Sequence, residues 1–241
     1  MFFVALFVVA IIIFMLALTF RSYKRTVYKS IPFSTILKSA LPEVKIDKDR
    51  TITKEIIKES GITSEFNNFV CDLYLNGQYK DIKYYCANPL LSNSVEGVTP
   101  VKSFNGLFLV FEYGNNDIGQ TYIYEKNKEK NIYNLSEIKT ESIDFNKTYK
   151  VFAENGESAF YILSALVIES MLKIEDKFKG EVSYSYKDSK LYVAINSVQA
   201  SLDVKLHKNL INELNKMASR FSTIHELIES LEITRTKYHT D

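Results

Sequence analysis

Residues 69–86 read FVCDLYLNGQYKDIKYYC, and the period of two in that stretch decides the fold class. Phe69, Cys71, Leu73 and Leu75 alternate with other residues, Asn76-Gly77 follows, and Ile82, Tyr84 and Cys86 resume the alternation. Apolar side chains at every second position line one face of a strand. Asn-Gly between two such runs is a strong hairpin signal, because a type I′ turn needs positive φ at both central positions. The expected register pairs Leu75 with Gln78 and Cys71 with Ile82. Cys86 then stands four residues beyond the position a disulfide to Cys71 would require. Both cysteines read as buried thiols.

Downstream the same period recurs. Leu107 to Tyr113 and Thr121 to Tyr124 flank Gly114–Gly119, which reads as a hairpin loop; it lacks the Gly-Lys-Ser/Thr ending of a phosphate-binding loop. Ile138 to Ile143 and Tyr149 to Ala153 form another expected strand pair, and Val182 to Tyr186 with Leu191 to Ile195 a closing hairpin. Between them the period changes to that of a helix. From about Ser158 to Phe178, Ala159, Ile162, Leu163, Leu166, Val167, Met171 and Ile174 fall at i, i+3, i+4 spacing. Ile162, Leu163, Leu166 and Met171 are expected to pack on the sheet. A C-terminal helix carries Leu206, Leu210, Leu214, Met217 and Phe221 on one face. Its continuation through Ile224, Leu227, Ile228 and Leu231 is the part expected to remain for association. Upstream, Thr53 caps a short helix ended by Gly61. The class is α+β: an antiparallel sheet with packed helices.

The chain opens very differently. Residues 1–20, MFFVALFVVAIIIFMLALTF, hold no charge, Gly or Pro, and Arg21, Lys24 and Arg25 follow. A helix over Phe2–Phe20 is about 28 Å long, matching the roughly 30 Å hydrocarbon core of a bilayer. A cleaved signal peptide wants a basic start, a shorter apolar run and a small-x-small site. A soluble core helix wants a polar face. The run has none of these, and it reads as a retained single-pass anchor. The basic flank favours the cytoplasmic side for the rest of the chain. Three parts follow: an anchor over 1–22, a juxtamembrane helical tether over 23–64 and an α+β cytoplasmic domain over 65–241.

The chain carries 30 basic and 29 acidic side chains. Setting aside Arg21, Lys24 and Arg25 leaves 27 basic against 29 acidic, a body without the cationic surplus that nucleic acid requires. The bilayer and a protein at the membrane are the expected partners.

Residues 139–163 read KTESIDFNKTYKVFAENGESAFYIL. This stretch resembles the signature of the bacterial family called domain of unknown function 3137: an acid-Ser pair, Phe-Asn, a strand ending in a small residue, and Ala-x-Tyr-Ile-Leu opening a helix. The matching positions are Glu141, Ser142, Phe145, Asn146, Tyr149, Val151, Ala153, Ala159, Tyr161, Ile162 and Leu163. Ser164-Ala165 stands where Thr-Pro is common. The hairpin around Gly77, the Phe104–Phe108 segment and residues 191–195 extend the likeness to roughly residues 55–235. It implies a membrane-anchored bacterial protein and no particular chemistry.

The residues themselves name no reaction. His207 and His225, five turns apart on one helix, would lie about 27 Å from each other, and no CxxC or HExxH occurs. No metal or cofactor is expected, and no G-x-S-x-G is present. Glu141, Asp144, Glu154 and Glu157 cluster around the signature. An acid/base pair among them would make a membrane-anchored hydrolase; caps and a strand connection are the structural alternative. Tyr161, Tyr184, Tyr186 and Tyr192 could line a ligand groove, but Tyr on a half-buried sheet is ordinary strand composition, and they read as structural. The expected function is non-enzymatic binding or scaffolding at the membrane, with Glu141, Ser142, Asn146 and Tyr161 as the candidate surface and Arg21, Lys24 and Arg25 as the membrane flank.

Overall fold

The computed structural model describes residues 52–94, 100–113, 119–126, 134–178, 180–200 and 210–232. Within them a nine-stranded antiparallel sheet runs in the order β1-β2-β4-β9-β8-β5-β7-β6, with β3 also paired to β2. The strands are β1 Asn68–Tyr79, β2 Ile82–Asn93, β3 Val101–Asn105, β4 Leu107–Glu112 and β5 Thr121–Glu125. Then come β6 Ser136–Ile138, β7 Tyr149–Ala153, β8 Glu181–Lys187 and β9 Lys190–Asn196. The helices are α1 Lys54–Glu59, α2 Ile143–Thr148, α3 Gly156–Ile162, α4 Ala165–Phe178 and α5 Leu210–Ser230. The α+β class holds. The proposed anchor and its flank, with Arg21, Lys24 and Arg25, lie outside the described residues. Among those described, no helix is long and apolar enough to cross a membrane.

The first hairpin turns at Lys80-Asp81, both at positive φ (45° and 67°), and not at Asn76-Gly77. Tyr79 pairs with Ile82, Leu75 with Cys86 and Cys71 with Pro89. This register gives two twelve-residue strands and buries Ile82, Tyr84 and Cys86 on one face. A bulge between Cys71 and Tyr74 reverses the alternation of β1. Leu75 therefore faces one core, while Cys71 and Tyr74 pack on the other. The two thiols lie on opposite faces of the sheet. Burial pushes the Cys86 thiol far above its ordinary pKa.

β4 and β5 are not a hairpin. β4 pairs with β2 and β9, and β5 with β8 and β7. The β8–β9 hairpin stands between them, every interior residue of both strands buried, as central strands require. The expected strand over 138–143 is displaced: β6 covers Ser136–Ile138 and shares only Ile138 with it. Residues 143–148 form α2 because Ser142 caps it.

Both faces of the sheet are covered. On one, Val167, Met171 and Ile174 of α4 and Ile224, Leu227 and Ile228 of α5 pack on Tyr84, Leu109, Phe111, Val193 and their neighbours. On the other, Ile52, Ile57 and Ile62, from the stretch read as tether, and Phe66 just after it pack on Phe108, Val110, Tyr122 and Tyr192. Thr53 caps α1, and Gly61 follows it at φ +70°. Tyr124 donates its hydroxyl to the Gly61 carbonyl at 2.9 Å, which fastens this cover to β5.

Two helix expectations are corrected. The single helix over Ser158–Phe178 is broken at Leu163-Ser164, where Leu163 leaves helical geometry and the Val167 amide donates to the Ser164 hydroxyl oxygen at 3.3 Å. The break rotates Leu166 outward to 56% exposure, so it is not part of the buried face. A Thr-Pro pair would cap and start a helix at the same place. The end of α5 is not left over for association either. Ile224, Leu227, Ile228 and Leu231 are 0–1% exposed and belong to the main core.

Candidate functional site

The signature stretch divides into core residues and residues around a hollow. Phe145, Tyr149, Val151, Ala153, Ala159 and Ile162 all enter the main core, and the Phe145 and Tyr149 rings lie 5.0 Å apart. Leu163 belongs to both, buried in that core and lining the hollow, and the remaining residues build the surface above them.

Ser142 opens α2 by accepting a hydrogen bond from the Phe145 amide at 3.3 Å. Asn146 closes the loop before it. Its amide donates to the Thr140 carbonyl at 2.6 Å, and its oxygen accepts from the Thr140 amide and hydroxyl, each at 3.0 Å. Residues 140–144 are thereby held as one rigid wall. Asp144, in the first turn, pairs with Lys147 at 3.0 Å.

The second wall starts from Asn155, whose oxygen accepts from the Ser158 amide at 2.8 Å and caps α3. Ala159 and Ile162 face inward, while Phe160 and Tyr161 stay 54% and 45% exposed. After the break, Ser164 donates its hydroxyl to the Glu232 carboxylate at 2.8 Å, tying the start of α4 to the end of α5.

Between the walls lies a concavity of about 550 Å³. Thr140, Glu141, Ser142 and Asp144 form one side. Phe160, Leu163, Ala165, Ile168, Glu169 and Leu172 form the other. Apart from Ala165, this second side is apolar and bulky, with Glu169 as its one charge. Among the described residues, the charged groups lining the hollow are Glu141, Asp144 and Glu169, all carboxylates. A hydrogen bond from Lys173, with its charge, holds Glu169 below the usual carboxylate range.

Glu141 and Ser142 thus line the hollow, Asn146 stands behind it as a clamp, and Tyr161 lies beside the lining Phe160. The Ser142 oxygen serves as a helix cap. Phe160, Ile168, Leu172 and Glu169 escaped the sequence reading, although Phe160 adjoins Tyr161 in the signature. Tyr184, Tyr186 and Tyr192 are buried in the sheet, and desolvation keeps the Tyr184 hydroxyl protonated far beyond its ordinary range. Among the described residues no His, Cys, Asp and Glu group could hold a metal. His225 stacks on Tyr79 at 4.0 Å, and His207 lies outside the described residues.

The family model described as protein of unknown function (DUF3137) matches residues 102–233. The match runs from β3 to just past the end of α5, a shorter span than the residues 55–235 over which the resemblance was expected. No functionally curated protein matches the sequence. Among solved structures, the crystal structure of the mycobacterial trehalose monomycolate transport factor A, TtfA, is similar over 68% of this chain and 75% of that one. The identity is 9% and the TM-score 0.38.

Proposed function

The chain belongs to the DUF3137 family, whose description assigns no activity, and from that premise we propose that it is a membrane-tethered, non-enzymatic binding protein. The observation that supports this reading is the hollow with an apolar wall facing carboxylates. Concave apolar surface with a few polar groups at its edge is the usual form of a docking site. Ile143 and Leu166, 72% and 56% exposed, adjoin the lining residues and widen the apolar collar.

The occupant that fits is a short segment combining apolar side chains with Arg or Lys. Its apolar groups meet Phe160, Ile168 and Leu172; its cations meet Glu141, Asp144 and Glu169. The pairs Asp144 and Glu169 make with Lys147 and Lys173 are solvent-exposed. Exposed pairs contribute little, so an incoming cation replaces them at small cost. On this reading residues 2–20 span the bilayer, Arg21, Lys24 and Arg25 meet anionic headgroups, and the domain faces the cytoplasm.

Cross-linking in membranes that carry the full chain tests the binding reading. A discrete adduct is expected that disappears in Glu141→Lys/Glu169→Lys; an adduct pattern unchanged by those substitutions sinks it. Protease added to intact cells should spare the domain, and its digestion would reverse the orientation. Release of the chain by an alkaline carbonate wash would remove the anchor.

One observation favours a second reading, a hydrolase: Glu141 and Asp144 line the same hollow, where two carboxylates can divide acid and base roles. Turnover of chromogenic ester, phosphate or glycoside substrates, lost in both Glu141→Gln and Asp144→Asn, would support it. No turnover by the wild type would dismiss it for those classes.

A further inference from the structure

We propose that the hollow is filled by the chain's own residues 233–241, ITRTKYHTD. The proposal rests on reading the hollow as a site for an apolar, basic segment, and it names that segment. Three observations carry it.

The first is where the segment departs. Glu232, the residue before it, is 6% exposed and accepts the Ser164 hydroxyl at 2.8 Å. Ser164 stands between Leu163 and Ala165, both of which line the hollow. Residues 233–241 therefore begin within a few residues of the site, and fully extended they reach about 30 Å, enough to cross it.

The second is charge. Arg235 and Lys237 sit two residues apart, with Asp241 the segment's one acid. Among the described residues, the charged groups lining the hollow are all acids. The third is apolar content. Ile233 and Tyr238 flank the two cations, which suits an apolar wall with a charged rim. A tethered segment works at an effective concentration in the millimolar range, so even weak contacts keep it in place.

The test places photo-reactive benzoylphenylalanine at the exposed position 160 of the full chain in membranes, followed by irradiation, digestion and mass spectrometry. The expected product joins position 160 to residues 233–241 of the same molecule. Arg235→Glu/Lys237→Glu should abolish it, and adding Glu141→Lys/Glu169→Lys should restore it. That restoration also shows that the charge-reversed chain is folded. A cross-link that persists in the charge-reversed tail overturns the recognition proposed here. Cross-links between isotopically distinct copies assign the site to a second molecule and overturn it as well. An adduct with another polypeptide, the tail untouched, overturns the tail proposal and leaves the binding function standing. Absence of any adduct removes both.

Discussion

Gly77 faces Tyr84 across the β1–β2 ladder, and the phenol ring fills the space a side chain there would need. A β-carbon on Gly77 would lie 2.4 Å from both Cζ and Oη of Tyr84. Tyr84 is fully buried and has no open side to move toward. Gly77→Ala is therefore expected to destabilise the domain by about 1–3 kcal/mol, the usual cost of overpacking. Thermal melts check this. Trimming the ring in a Gly77→Ala/Tyr84→Leu double variant should give less than the summed loss, because the two sites share one volume. Additive losses would mean that the ring does not set the limit.

The tip of the same hairpin is pinned to α5. Glu229 accepts hydrogen bonds from Lys80 and from the Tyr79 hydroxyl, the latter at 2.9 Å. These bonds and the Lys80 charge lower the Glu229 pKa, and the Glu229 bond raises that of Lys80. A lowered carboxylate contributes fully above its unfolded value near 4.3 and loses that contribution as pH falls through the lower folded value. A raised lysine contributes below about 10.4 and loses its share only as pH rises through the higher folded value. Glu229→Gln should thus melt slightly below wild type between about pH 6 and 9, with the gap closing on acidification. A gap that widens in acid would contradict the sign.

Leu166 and Val167 are neighbours with opposite fates, 56% and 0% exposed. Leu166→Asp should fold and melt nearly as the wild type does. Val167→Asp buries an unpaired charge at a cost of several kcal/mol against a total stability of about 5–15, and should not fold. Equal melts for the two variants would mean that α4 is not docked as described.

Ending the chain at Ser222 removes Ile224, Leu227, Ile228 and Leu231 from the core. Burial of each contributes roughly 1.5–3 kcal/mol, together comparable with the stability of a whole domain. The truncated protein is expected to lack a cooperative transition by circular dichroism. A normal transition would place the last turns of α5 outside the core.

The strands were legible where a clean alternation met a fully buried face. Tyr149, Val151 and Ala153 are such a run, and all three are in the core. Asn76-Gly77 misled because two turn signals lie within one stretch and local chemistry ranks them wrongly. Lys80-Asp81 wins by aligning Ile82, Tyr84 and Cys86 with the core, and Gly77 serves to admit a ring. The pairing of β4 with β9 was out of reach for local rules, since adjacency in sequence suggests pairing. The near-continuous apolar run of residues 191–195 was the overlooked sign of a central strand. At the site, the acid-Ser pair before α2 was visible. The apolar wall was not, because the spacing over 158–178 suits one continuous helix, and only the break at Leu163-Ser164 brings Phe160 and Ile168 to one hollow.

The central place of the β8–β9 hairpin has a consequence for biosynthesis. β4 and β5 are translated early, yet each keeps an open edge until residues 181–196 leave the ribosome. Half-sheets with bare apolar edges invite pairing with other chains. Such a chain completes its sheet only once residues 181–196 have emerged, so a stall before residue 181 releases a fragment that lacks the hairpin joining β4 to β5. Ribosome-bound fragments ending there should depend on holding chaperones, and those reaching past α5 should not.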